Sequence, residues 1–179
     1  LADVLDHLPI SFMMYDGCEA DDVMAYIATQ VLKEDEQAVL MSTDKDFLQL
    51  VDDTTIIWSP TKKKIYNKNA VQEELGLHPK NVLTYRVLDG DTSDNIPGVR
   101  GCGIKTLLKR FPEFNSDESI TVDRLLELAE EKKGKIKLYS DILEAKDQIL
   151  MNEKLMQLKD VDISGQLKMK ILDRFDEEI

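Results

Sequence analysis

The chain has 179 residues, 42% hydrophobic and 32% charged, which suits one good core or a core with a small appended subdomain and excludes a disordered segment. No apolar run approaches the roughly 20 residues of a bilayer span, and no basic-plus-apolar leader suggests secretion. The net charge of −12 is unusual for a nucleic-acid binder, but the average hides segregated charge.

The chain begins at Leu1, and residues 1–9 read as the end of a helix. Residues 10–15, I-S-F-M-M-Y, are an apolar run expected to form a buried strand, with Asp16-Gly17 as the turn after it. Val23, Met24, Ile27 and Val31 recur at helical spacing between Glu19 and Lys33. A second buried strand is expected at 38–41, then a short helix over K-D-F-L-Q-L, then a third strand at 54–58 that Pro60 ends. Alternation of this kind predicts a mainly parallel sheet flanked by helices. Past residue 65 the pattern turns helical: 69–75, 79–88, 104–110, about 121–132, 137–157 and 165–177, with a glycine-rich break at 96–103. The expected architecture is α/β, an α/β layer at 1–66 followed by a helical subdomain at 67–179.

Acidic residues gather at 19–22, 44–53 and 89–94 and in the C-terminal helices. Basic residues gather at Lys62, Lys63 and Lys64, at Lys105, Lys109 and Arg110, and from Lys132 to Lys137. Glu19, Asp21 and Asp22 open a helix; Asp44 and Asp46 follow a strand; Asp91 and Asp94 sit in D-G-D-T-S-D-N with Asp89 close by. Ligands of an open α/β sheet collect outside the carboxyl ends of its strands, so the first two clusters are expected at one crevice. Carboxylates this dense repel one another unless cations neutralise them, and oxygen-only ligands favour magnesium or manganese. Two such ions roughly 3.5–4 Å apart suit in-line attack on a phosphodiester. The plainer reading is helix capping, which acids at a first turn do well. No segment matches a calcium-binding loop.

Gly98, Gly101 and Gly103 precede a helix that starts with Lys105 and Thr106. Glycine lets backbone approach a ligand closely, and a helix start offers free N–H groups to an anion. Lys105 and Lys109 add charge for a backbone grip that reads no bases, although a plain glycine turn would look the same. The Walker pattern is not matched. Cys18 and Cys102 lack metal-ligand spacing and read as reduced thiols of a cytosolic protein. Trp58 and Tyr66 read as core rather than base-stacking residues, His7 and His78 as non-ligands, and the seven methionines as core filler.

E-A-D-D, S-T-D-K-D-F-L-Q-L and G-D-T-S-D-N-I-P-G-V-R-G-C-G-I-K-T, in this order and spacing, resemble the 5′ nuclease (flap endonuclease) family, from about residue 8 to 165. That family includes the 5′ nuclease domain of DNA polymerase I and phage 5′–3′ exonucleases; W-S-P-T-K-K-K at 58–64 looks more like a phage enzyme that removes RNA primers. The resemblance implies a structure-specific 5′ nuclease, of the bacterial cytoplasm or a phage-infected host, cutting flap, nicked or RNA-primed DNA. It implies Mg²⁺, replaceable by Mn²⁺, at two positions: Glu19, Asp21 and Asp22 at the first, Asp44, Asp46, Asp91 and Asp94 at the second. Asp21, Asp22, Asp44 and Asp46 are the residues expected to carry catalysis. The 96–110 segment corresponds to the family's helix-hairpin-helix, often with K⁺ on its loop carbonyls and Lys105 facing a phosphate. The family's first strand, with a further metal-binding aspartate, and its basic arch are not among these residues. The expectation is therefore a piece of a cleaved nuclease, bound to its N-terminal fragment and impaired alone, with an exposed sheet edge. The rival readings are a duplex-binding module that does not cut and an acidic-pocket ribonuclease of the PIN class; the glycine hairpin and helical tail weigh against the latter.

Overall fold

The computed structural model describes residues 10–176. In chain order the elements are helix α1 (Ala20–Tyr26), which runs on as a π-helical turn (Ile27–Val31), strand β1 (Ala38–Met41), a 3₁₀ turn (Asp46–Leu50), β2 (Thr55–Ser59) and β3 (Lys64–Tyr66). Helices α2 (Lys68–Leu75), α3 (Val82–Asp89), α4 (Ile104–Arg110), α5 (Val122–Glu131), α6 (Lys137–Glu144), α7 (Lys146–Met156) and α8 (Gly165–Asp176) follow. The described residues fall into two compact units: the stretch ending at Glu36 with the stretch starting at Leu158, and Gln37–Gln157. Among them no helix is long and apolar enough to cross a membrane.

In the first unit, α1 and α8 are each anchored by buried residues, Ala25 and Tyr26 on one and Ile171 on the other. Tyr15 donates its hydroxyl to the Lys170 carbonyl at 3.1 Å, and the Lys168 ammonium lies 5.4 Å from the Tyr26 ring centroid. The strand expected at 10–15 does not form. Ile10, Phe12 and Met14 are 44%, 36% and 79% exposed, so this run buries no face. An apolar run becomes a strand only where its N–H and C=O groups find a ladder, and among the described residues this one has none. The helix end and His7 expected within 1–9 lie outside the described residues.

The second unit is built on a three-stranded mixed sheet in the order β1-β2-β3. β1 and β2 run parallel, with Leu40 opposite Ile57; β2 and β3 run antiparallel, with Ile57 opposite Tyr66. Before β2, Asp52 accepts the N–H groups of Thr54 and Thr55 at 2.8 and 2.7 Å, setting the entry turn. Sequence periodicity did not predict β3: its three residues, K-I-Y, belong to a basic run that carries no apolar alternation long enough to read. β1 is not the buried strand expected, since Val39 and Met41 are 61% and 67% exposed and only β2 pairs with it among the described residues.

Helix α2 starts at an Asn67 cap that accepts the Ala70 N–H at 2.9 Å. The helix expected over 137–157 is two helices meeting at Ala145, which lets α6 and α7 both pack on α5. The helical core gathers Val87, Leu88, Leu107, Leu125, Ile142 and Ile149 around Phe111. Edge-on contacts from Phe114 (6.3 Å) and Tyr139 (5.4 Å) complete it.

Candidate functional site

Helix α3 is the keel of the site. Val82 and Arg86 lie one turn apart on its buried face, with Val82 fully buried and Arg86 only 6% exposed. Arg86 donates from Nε to Asp46 at 2.6 Å, from Nη2 to Asp91 at 2.6 Å, and from Nη1 to the Gly90 carbonyl at 3.3 Å. The Asp46 carboxylate comes from the 3₁₀ turn after β1, and Asp91 from the loop after α3, so one guanidinium ties segments 40 and 5 residues away. Asp44 stands beside them, its Oδ1 accepting the Asp46 N–H at 2.7 Å. Asp91 also accepts from the N–H of Ser93 at 2.8 Å and, by a very short bond, from its hydroxyl.

These partners set the electrostatics. Burial pushes the Asp46 carboxyl above its ordinary range, against the opposing pull of Arg86. Ser93 first and Arg86 second hold Asp91 well below that range. At the cleft rim Tyr85 donates to Asp89 at 2.9 Å, and burial together with that bond pushes its phenol up to about 12. Asp44, Arg86, Asp89 and Asp91 line an open cleft of about 630 Å³. Asp94 is exposed, one turn further along the loop, and does not line the cleft.

Glu19, Asp21 and Asp22 lie in the first unit. Asp22 accepts the Glu19 N–H at 3.0 Å, a capping-box contact at the start of α1, while Asp21 is half-buried. Among the described residues no three carboxylates converge closely enough to hold an ion as they stand. The donor set nevertheless fits a hard cation: it is all oxygen, and Asp46 and Asp91 already face a single positive charge.

The loop from Gly90 to Gly103 is braced from several sides. Asp91 and Ile96 pair back to back (2.9 and 2.7 Å), and Val99 donates to the Leu88 carbonyl at 2.7 Å. From α7, Gln148 and Asn152 both donate to the Pro97 carbonyl at 2.8 Å, and Asn152 also bonds the Val87 carbonyl at 2.9 Å. A Cβ on Gly98 would lie 2.0 Å from the Asp89 carbonyl oxygen, whereas one on Gly103 would meet nothing. Gly101 takes the left-handed conformation that the turn into α4 needs. Lys105 and Lys109 are exposed on α4, Thr106 is half-buried there, and Cys102 is buried, its thiol pushed up to about 12 by that burial.

The basic clusters divide sharply. Lys62 and Lys64 are tied to Glu74 at 2.7 and 2.9 Å, and Lys132 to Glu113 at 2.9 Å. Among the described residues Arg100, Lys105, Lys109 and Arg110 have no such partner. Tyr66 is buried and donates to Glu74 at 2.8 Å, and His78 caps the turn at Pro79, accepting from the Lys80 N–H at 3.2 Å.

Sequence reading missed Arg86. Its signal was a cation at i+4 from Val82 on an otherwise apolar helix face, a place where an unpaired arginine is costly.

Comparison with known proteins places the chain in one family. The family model described as 5′-3′ exonuclease, N-terminal resolvase-like domain, matches residues 1–76, and that described as 5′-3′ exonuclease, C-terminal SAM fold, matches residues 77–178. A 5′-3′ exonuclease of Buchnera aphidicola subsp. Acyrthosiphon pisum is 33% identical over 180 residues, spanning 98% of the chain and 62% of that protein. DNA polymerase I of Bacillus subtilis is 36% identical over 175 residues, spanning 92% of the chain and 19% of the polymerase. The T5 D15 protein, co-crystallised with metal ions, superposes with a TM-score of 0.73 at 25% identity, covering 91% of the chain and 60% of that structure. The chain therefore spans less than two thirds of each of these proteins.

Proposed function

Since the chain belongs to the 5′-3′ exonuclease family, whose models match it with a resolvase-like part and a SAM-like helical part, we propose that it is the metal-holding and DNA-gripping part of a structure-specific 5′ nuclease. The observation that carries this reading is that Asp44 and Asp91 line one cleft, with Asp46 tied to Asp91 beside it through Arg86 of α3, the helix that leads into a hairpin whose cations have no acidic partner among the described residues. The reaction is hydrolysis of a phosphodiester near the 5′ end of flap, nicked or RNA-primed DNA: water's oxygen bonds phosphorus and the sugar oxygen leaves.

In this proposal Asp44, Asp46, Asp91 and Asp94 hold one divalent ion, and Glu19, Asp21 and Asp22 hold another. Mg²⁺ is the favoured occupant, with Mn²⁺ a substitute, because the donors are carboxylate oxygens alone. Bound there, such ions supply Lewis-acid charge and a readied water. Asp21, Asp22, Asp44 and Asp46 bear most directly on the reacting phosphate. Gly98, Gly101 and Gly103 shape the hairpin, and Lys105, Thr106 and Lys109 present charge and a hydroxyl to the duplex backbone, with K⁺ a candidate for the loop carbonyls. The setting is replication or repair in the cytoplasm of a bacterial cell or phage-infected host.

A second reading, duplex binding without cutting, is favoured by one observation: Arg86 already occupies Asp46 and Asp91. Cleavage of an end-labelled 5′-flap duplex in Mg²⁺ separates the two. The nuclease reading expects a cut near the junction that is lost in EDTA and in Asp46→Ala. Retarded but uncut DNA would overturn it in favour of the binding module.

A further inference from the structure

We propose that Arg86 is a built-in counter-ion of the Asp46–Asp91 pair, holding both carboxylates in place while metal is absent and giving way when a divalent ion enters. This rests on the metal-holding reading above and adds a positioning residue to it.

The guanidinium is almost sealed from solvent, its side chain 7% exposed, so its charge must be balanced inside the protein. Among the described residues every bond it makes goes to Asp46, Gly90 or Asp91, and both carboxylates are proposed metal ligands. Each contact to a carboxylate is 2.6 Å, at or just below the short end of charge-assisted nitrogen–oxygen bonds. The arrangement solves a folding problem, because two carboxylates brought to one cleft before any ion arrives would repel each other.

An entering divalent ion competes for the same oxygens. A guanidinium and a dication cannot share them closely, since like charges a few ångströms apart repel strongly at low dielectric. Arg86 has somewhere to go. It lines both the open cleft of about 630 Å³ and an adjoining cavity of about 300 Å³, and Asp89 borders both spaces. Among the described residues the Asp89 carboxylate accepts only the Tyr85 hydroxyl, so its charge is available to a displaced guanidinium. Metal affinity at this position is therefore the difference between two cations competing for one pair of carboxylates.

The test is Mn²⁺ binding, read from the loss of the free-ion electron paramagnetic resonance signal, for the chain and its Arg86→Met and Arg86→Lys variants. Removing the competitor should tighten Mn²⁺ binding by about tenfold in Arg86→Met, a figure set by the loss of one nearby positive charge. Arg86→Lys, which keeps the charge, should stay near the unsubstituted chain. Unchanged or weaker binding by Arg86→Met, with the parent chain binding normally, overturns the inference alone. Absence of binding in both overturns it together with the reading beneath it. Should Arg86→Met fail to fold, arginine-labelled parent chain decides by nuclear magnetic resonance. The Arg86 Nε–H resonance should shift and exchange faster with solvent at saturating Mg²⁺, and a resonance that stays put overturns the proposal.

Discussion

Gly98→Ala should destabilise the chain far more than an exposed loop substitution normally does. The added Cβ would sit 2.0 Å from the Asp89 carbonyl oxygen, 2.5 Å from its carbon and 2.8 Å from the Leu88 oxygen. These are backbone atoms at the end of α3, with no flexible tip to swing aside. To reach an ordinary 3.4 Å contact the loop must retreat by about 1.4 Å, the difference between 3.4 and 2.0 Å. That retreat pulls apart the 2.7 Å bond from Val99 N–H to Leu88, in a place where Val99 is buried. Overpacking costs about 1–3 kcal/mol and a stranded buried amide about 1–3 kcal/mol, so the sum should be about 3 kcal/mol. For a chain of this size that corresponds to a fall in Tm of about 6–12 °C. Gly103→Ala is the matched control: its Cβ meets nothing, and its effect should stay within about 0.5 kcal/mol. Urea unfolding of both variants supplies the measurement. A Gly98→Ala protein within about 1 kcal/mol of the parent, or an equal loss in Gly103→Ala, would refute the close-packing argument.

Two further outcomes follow from the charges. Lys62 first and Lys64 next pull Glu74 from 4.5 to about 2, a folded value below the unfolded one. Its contribution is thus present above pH 4.5 and lost as pH falls towards about 2. Glu74→Gln should cost about 1 kcal/mol at pH 7, discounted for a side chain still partly in solvent, and the gap from the parent should close in urea unfolding as the pH falls from 5 to about 2. Replacing Lys105 and Lys109 together by alanine should weaken binding to duplexes of any sequence alike. It should also flatten the slope of log affinity against log salt by about 1.8, two phosphate contacts' worth, in a fluorescence titration.

Much of the frame was legible in the sequence because it rests on local chemistry. The α2 helix, the stop at Pro60 and the helix after Gly103 are written into neighbouring residues. Residues 10–15 and β3 were not legible for a shared reason: strand identity depends on a ladder partner distant in sequence, which composition does not reveal. The seam at Ala145 was invisible because nothing in A-K-D-Q forbids a continuous helix; packing on α5 makes the break. Among the carboxylates, strand ends suggested only that the 19–22 and 44–46 clusters share a crevice; the grouping of Asp44 and Asp46 with Asp91 came from the family resemblance alone. Arg86 was hidden because its partners lie 40 and 5 residues away, and a helical arginine ordinarily reads as surface.

The last turn of α3 supports two things at once. It carries Arg86 against Asp46 and Asp91, and its Leu88 and Asp89 carbonyls form the bed on which Val99 and Gly98 rest. With Pro97 also pinned to α7, the hairpin has little freedom to slide relative to the carboxylates. In the proposed enzyme this makes the protein a ruler. The phosphate held by the hairpin and the phosphate presented to the carboxylates are separated by a fixed length of backbone, so the cut falls a set number of nucleotides from the grip, whatever the sequence between them.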